Sequence, residues 1–287
     1  MKNSHFIALL VLSMFLWGGG WTALKILTYE LELSVIIFWR FFLMSLSFLP
    51  ILVFVKQPLS LNKSSLKFIL SSSVLNIAFM VSSFLGIKYG TAGAGGVIIT
   101  TLSPIMTFLL VYIIFRNRLH LYQYIGMFIG LIGGFIMLEL NDVSIFFNGS
   151  NIYFLLCAMI WAGVTMLSQH SHQHIHPIHY SFYISVIASL ATFLYAYSSD
   201  ITSVFSQSSE FWIALIYLAV FGQSIATTIY FMASAKLGSQ VTSSFMFLVP
   251  LFALIIAWLV LDESVQSHIL LGGFFSIVAV YFINKKD

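Results

Sequence analysis

The run QHSHQHIHPIHY carries His170, His172, His174, His176 and His179, and the pairs His170/His174 and His172/His176 have the i, i+4 spacing of a helical metal site. Three functional readings follow: a His-loop-regulated metal or drug efflux protein, a metal-sensing loop, or a pH-sensitive gate. An ion that crosses a bilayer needs ligands along its path, yet no pair of Asp, Glu or His lies halfway along any apolar stretch. The run therefore also reads as a solvated loop, and no metal site is assigned. Intramembrane proteolysis would need paired carboxylates within helices, and a serine mechanism would need a base near its nucleophile. The acids lie at the ends of apolar stretches and the histidines gather mainly in one loop, so no catalytic residue is assigned.

Arg40 is the clearest charge inside an apolar run. A central Arg costs about 2.5–3.5 kcal/mol on insertion scales, and its guanidinium suits a substrate carboxylate or phosphate; the other reading pairs it with backbone carbonyls near the membrane face. Other residues fall near the midpoints of their runs: Trp17, Asn76, Ser103 with Pro104, Trp161, Gln223 and Pro250. Polar groups at that depth must face a neighbouring helix or a wet cavity. Trp17 and Trp21, four apart, share a helix face, and with Tyr230 and Trp161 they form a candidate aromatic wall. Pro104 and Pro250 each remove a backbone donor and free a carbonyl, which predicts matched kinks that serve as substrate contacts, hinges or plain bends. Between the two tryptophans, Gly18, Gly19 and Gly20 allow either close helix approach or an opened backbone.

Positioning these residues requires long apolar helices. Of 287 residues, 60% are hydrophobic and 7% charged, and the mean hydropathy is +1.01. A soluble domain carries about 25% charged residues, whereas a bilayer of about 30 Å takes about 20 apolar residues per helix. Ten runs meet that need, near 6–27, 34–55, 67–88, 91–115, 121–139, 151–169, 178–199, 211–235, 239–261 and 266–283. The first run continues to Leu27 without a small-residue cleavage motif, which favours a retained helix over a signal peptide. The single Cys157 excludes an intramolecular disulfide and reads as a small buried hydrophobe.

With the amino terminus cytoplasmic, ten crossings put Lys2, Lys56, Lys63, Lys67, Arg116, Arg118, Lys236, Lys285 and Lys286 inside, as the positive-inside rule asks. The acids Glu30, Glu32, Glu139, Asp142, Asp200, Glu210, Asp262 and Glu263 then lie outside, and Lys25 and Lys88 read as anchors at the outer face. The chain also echoes itself. Trp17 pairs with Trp161, Pro104 with Pro250 and Gly126 with Gly272, at offsets of 144, 146 and 146 residues. Five helices per copy invert the second copy, so the fold class expected is an all-α membrane protein of ten transmembrane helices in two inverted five-helix repeats, residues 1–140 and 150–287. Gly126, Gly130 and Gly134 lie four apart on one face of the fifth helix, a pattern for tight internal packing or, alternatively, for a homodimer contact. A monomer is the first expectation.

The stretches "FWRFF", "GIKYGTAGAGGVIITTLSPIMTFLLVYIIFRNRL" and "YFMASAKLGSQVTSSFMFLVPLFALIIAWLVLDESV", with the "WG" of the first helix, resemble EamA-like members of the drug/metabolite transporter superfamily. One departure is Asn117, where such proteins commonly have Glu. The resemblance implies a central cavity lined by helices one to four and six to nine, with five and ten peripheral. It also implies a secondary transporter in the cytoplasmic membrane, working by alternating access on a small organic metabolite. An aromatic cavity beside an Arg suits amino acids, aromatic ones included, as well as S-adenosylmethionine or a nucleotide-type metabolite. No nucleotide-binding loop is present, and no cofactor or nucleic-acid partner is expected; the partners are the small-molecule substrate and the lipid bilayer.

Overall fold

A computed structural model of the chain describes residues 3–28, 31–54, 59, 61–116, 119–139, 149–261 and 267–285. Lys2, Glu30, Lys56, Asn117, Arg118, Asp142, Asp262, Glu263 and Lys286 lie outside the described residues. The described chain is helical with no strand. The first half comprises α1 (Asn3–Thr28), α2 (Leu33–Phe54), α3 (Lys63–Tyr89), α4 (Ala92–Phe115) and α5 (Leu121–Met137). The second begins with α6 (Asn151–Ser171) and α7 (Pro177–Tyr195). A short turn at Ile201–Ser206 then leads to α8 (Ser209–Leu237), α9 from Ser239 to Leu261 and α10 (Ser267–Asn284). Among the described residues nine of these helices are long and apolar enough to cross a membrane, and α5, with 17 residues, is a shorter apolar helix. The chain is thus a multi-pass membrane protein.

Helix starts carry local caps, since the first turn leaves backbone N–H groups without partners. The Asn62 side chain accepts from Ser65 N at 2.6 Å, Thr91 Oγ1 from Ala94 N at 3.2 Å, and Ser208 Oγ from Phe211 N at 3.2 Å. The start of α7 is capped by a histidine, with His176 Nδ1 accepting from Ile178 N at 3.3 Å and Pro177 at the first helical position.

Neighbours in space are mostly helices from opposite halves of the chain. α1 packs on α8 and α9, α6 on α3 and α4, α2 on α7, and α5 on α10. The last pair is drawn together by glycine: a Cβ on Gly126 would fall 2.8 Å from the Ala279 carbonyl oxygen, and one on Gly133 would fall 2.9 Å from that of Gly272. Gly130 faces the Phe247 ring of α9 and Gly134 faces Thr101 of α4. Internal helix packing therefore occupies the glycine face of α5.

The expected backbone irregularities fall elsewhere than the sequence suggests. α1 runs unbroken through Gly18–Gly20, and α4 runs unbroken through Pro104. α9 opens with Ser239–Ser244, tightens to a 3-10 turn at Phe245–Leu248 and resumes at Val249, so Pro250 follows an altered turn where Pro104 does not. The main distortion is in α8, where Tyr217–Thr227 widens into a π-helix between α-helical ends. Such segments release carbonyls from the regular ladder and recur at functional sites.

Candidate functional site

The three glycines of α1 do separate jobs. Gly18 lets α1 approach the α9 backbone, since a Cβ there would meet Ala253 N at 2.7 Å and the Phe252 carbonyl carbon at 2.9 Å. Gly19 lies beneath the Tyr217 hydroxyl, and Gly20 faces Leu218 and the central cavity. Just before these glycines, α1 is tied to the π segment of α8. Ser13 Oγ donates to the Ala226 carbonyl at 2.8 Å, Trp17 Nε1 to the Gly222 carbonyl at 3.0 Å, and the Tyr217 hydroxyl to the Leu16 carbonyl at 2.9 Å. Two of the three acceptors, the Gly222 and Ala226 carbonyls, lie in the widened stretch of α8, and the third, the Leu16 carbonyl, lies on α1.

Between the halves lies a narrow cavity of about 90 Å³. It is lined from α1, α2, α3, α4, α6, α8 and α9, but not from α5, α7 or α10. Its lining draws on two apolar clusters, one including Leu24, Ile99 and Leu218 and another including Trp161, Met246 and Val249. The enclosed space is narrow, so a bound metabolite would require the surrounding helices to part.

Its wall is aromatic. Trp17 and Trp161 meet edge to face with centroids 5.2 Å apart, and Phe79 lies 5.0 Å from Trp161. Its polar end is Arg40, only 5% exposed, whose Nη2 donates to Gln223 Oε1 at 3.4 Å and whose guanidinium carbon lies 5.8 Å from the centre of the Phe84 ring. Arg40 Nε makes no hydrogen bond, and among the described residues no carboxylate pairs with this guanidinium. A buried cation is costly unless an anion or several acceptors face it.

Of the residues singled out from sequence, the structure brings Trp17, Trp21, Arg40, Trp161 and Gln223 to the cavity. Tyr230 stands behind the wall, 5.0 Å from Trp17, with its hydroxyl sharing a hydrogen bond with Thr165 and reaching Met246 Sδ. Asn76 and Ser103 are buried away from the lining and bond to their own helices, to the Ser72 carbonyl at 2.8 Å and the Ile99 carbonyl at 2.6 Å. The lining residues that sequence reasoning missed include Phe79, Ser83, Thr100, Thr227 and Met246. A usable signal existed for two of them: Thr100 and Met246 stand four residues before Pro104 and Pro250, where proline releases a carbonyl.

The histidines are dispersed over different partners. His170 stacks on Phe115 at 4.9 Å and His174 on Phe68 at 5.5 Å, while His172 bonds to the Gln169 carbonyl. His176 faces His179 at 5.6 Å, and burial lowers the His176 pKa below its ordinary value. Among the described residues no three His, Cys, Asp or Glu side chains are placed to hold a metal ion.

Apolar helices around an enclosed cavity with a polar end describe a multi-pass membrane protein of the transporter class, and similarity to other proteins agrees. The model of the EamA-like transporter family matches residues 5–139 and again 149–285. An uncharacterized transporter of Archaeoglobus fulgidus is 25% identical over 99% of both chains. An uncharacterized transporter of Synechocystis sp. is 27% identical over 97% of this chain and 89% of its own. A WAT1-related chloroplastic protein of Arabidopsis thaliana is 26% identical over 70% of this chain and 50% of its own. A crystal structure with 14% sequence identity superposes with a TM-score of 0.78 over 99% of this chain and 97% of that one, which shows the shared fold. The chain belongs to the EamA-like transporter family.

Proposed function

We propose that the protein is a secondary carrier of amino acids, aromatic ones included, that alternates access to the central cavity from either side of the cytoplasmic membrane. The observation that carries this reading is Arg40: a buried cation at the cavity's polar end, with Gln223 beside it and no carboxylate partner among the described residues. A substrate carboxylate would supply the missing anion and accept charge-assisted hydrogen bonds from the guanidinium. The substrate's ammonium and side chain would then lie against Trp17, Trp161 and Phe79, whose ring faces attract cations and bury apolar surface.

Alternating access rests on ten spans in two inverted repeats, with both termini cytoplasmic. The helix neighbours support it. Exchanging the first five helices for the last five turns the packing of α1 on α8 and α9 into that of α6 on α3 and α4, and it leaves the α2–α7 and α5–α10 pairs unchanged. The family model's two matches, one in each half, support it too. Rocking one half against the other about a fixed central site is how such repeats expose a substrate to each side in turn.

Counterflow into proteoliposomes tests the substrate. Labelled aromatic and aliphatic amino acids should accumulate against preloaded unlabelled substrate, and Arg40→Met should lower that uptake about tenfold or more, the scale of one lost charge-assisted contact. Movement of S-adenosylmethionine or a nucleotide, with none of the amino acids, would replace the amino-acid reading by the nucleotide-type one.

A further inference from the structure

A second hollow lies on the other side of α1 from the cavity. It is a groove of about 360 Å³ between α1, α8 and the α9 residue Ile256, with Gly19, Ala23 and Ile26 on one wall and Glu210, Ile213 and Tyr217 on the other. It faces lipid, because Ile213 is 70% exposed and Ile216 and Phe221, on neighbouring turns of the same membrane-spanning helix, are also exposed. From Ile26 to Gly19 the wall extends about 10 Å along the helix axis, at 1.5 Å per residue. Its deep end is the seat of the Tyr217 hydroxyl on the Leu16 carbonyl.

The chemistry of the two ends differs. The deep part is apolar, while the mouth, at the membrane face where α1 ends and α8 begins, carries Glu210, the one charged residue of the lining among the described residues. Glu210 is exposed and has no ion-pair partner among the described residues. Lys25 sits on the turn of α1 between the lining residues Thr22 and Ile26, likewise unpaired among the described residues. A carboxylate and an ammonium at one membrane face, above an apolar slot, complement a zwitterionic lipid whose amine projects beyond its phosphate.

We propose that this groove binds a phospholipid with a primary-amine headgroup, its ammonium on Glu210, its phosphate toward Lys25 and one acyl chain laid between α1 and α8. The bound chain would rest against Gly19, while the next residue, Gly20, lines the central cavity. One turn of α1 then separates the lipid from the cavity, and lipid occupancy braces the α1–α8 wall.

The full-length protein, released from detergent micelles into native mass spectrometry, would be titrated with phosphatidylethanolamine, phosphatidylcholine and phosphatidylglycerol of identical acyl chains. Retention of phosphatidylethanolamine above both others is expected. Glu210→Gln, at an exposed position, should lower that retention about threefold, the scale of one exposed ion pair. Ile213→Trp, which fills the slot, should lower retention of all three lipids. Equal retention of the three lipids by the unaltered protein, or phosphatidylethanolamine retention unchanged in Glu210→Gln, would overturn the proposal. The comparison among lipids needs no variant to fold, and no arm measures transport, so its outcome is independent of the carrier's substrate.

Discussion

Trp17 on α1 and Trp161 on α6 stand at corresponding places in the two halves and touch across the cavity, yet their surroundings differ. Trp17 faces the π segment of α8 and gives its indole N–H to the Gly222 carbonyl. Trp161 gives its indole N–H to no backbone carbonyl; its polar neighbour is the Tyr230 hydroxyl, itself engaged with Thr165 and Met246. The corresponding helix packed on α6 is α3, a regular α-helix whose Phe79 carbonyl accepts only a weak bond from the Cys157 thiol at 3.6 Å and whose Asn76 turns back to the Ser72 carbonyl. Gln223, in the corresponding stretch of α8, reaches Arg40 instead. An approximately duplicated scaffold thus directs its bonds differently: those of α1 all join it to one stretch of α8, while those of α6 are spread over α3, α8 and α9, through the Cys157 thiol to the Phe79 carbonyl, Ser234 Oγ to the Thr165 carbonyl and Ser239 N to Gln169 Oε1. The lesson is that the widened stretch of α8 gathers on α1 the contacts that the regular α3 does not gather on α6.

The glycines give the largest contrast. Gly18→Ala forces a methyl group against the α9 backbone, which cannot swing aside, and should cost about 1–3 kcal/mol in a thermal unfolding series in detergent. Gly163→Ala on α6 meets only the end of the Leu75 side chain, at 3.3 Å, and should leave the transition close to that of the unaltered protein. Equal losses would mean that α6 is as tightly walled as α1 and would break the comparison.

The tryptophans come next. Trp17→Phe should destabilise by about 0.6 kcal/mol more than Trp161→Phe, because both lose the same ring volume but only the first loses a bond to a backbone carbonyl of another helix, the Gly222 carbonyl keeping Thr227 Oγ1. Ser13→Ala removes another α1–α8 bond, and by the average for hydrogen bonds in membranes should cost about 0.6 kcal/mol. A value near zero would place the lock in the indole and phenol alone.

The smallest effect concerns His176, at the start of α7 and away from both walls. Its Nδ1 accepts from Ile178 N and burial lowers its pKa, so the folded protein favours the neutral ring. A depressed histidine pKa stabilises the fold above its unfolded value, near 6.5, and that contribution is lost as pH falls through 6.5 toward the folded value. The unfolding temperature should therefore decline between pH 7 and 5, and His176→Asn, which keeps a cap acceptor without titrating, should flatten the slope.

Much of this protein was legible in its residues. Low charge and long apolar runs required membrane-spanning helices, since a bilayer leaves the backbone no other partners. The depth of Trp17, Trp161 and Gln223 within their runs pointed to one cavity, because helices that span the same slab share a depth scale, while Arg40 stood out by its charge alone. Depth says nothing of rotation about the helix axis. Asn76 and Ser103 have the right depth but bond to their own helices, and the lining residues Phe79 and Thr100 lie three residues further along α3 and before them on α4, respectively.

Composition and hydropathy pattern, then, determined that the chain is helical, membrane-embedded and polar at a common level, because those properties follow from transfer energies summed residue by residue. Which glycine meets a backbone, which helix widens and which indole finds an acceptor were decided only in three dimensions. Each depends on the few ångströms between helices distant in the chain, where one carbonyl is either free or already spent.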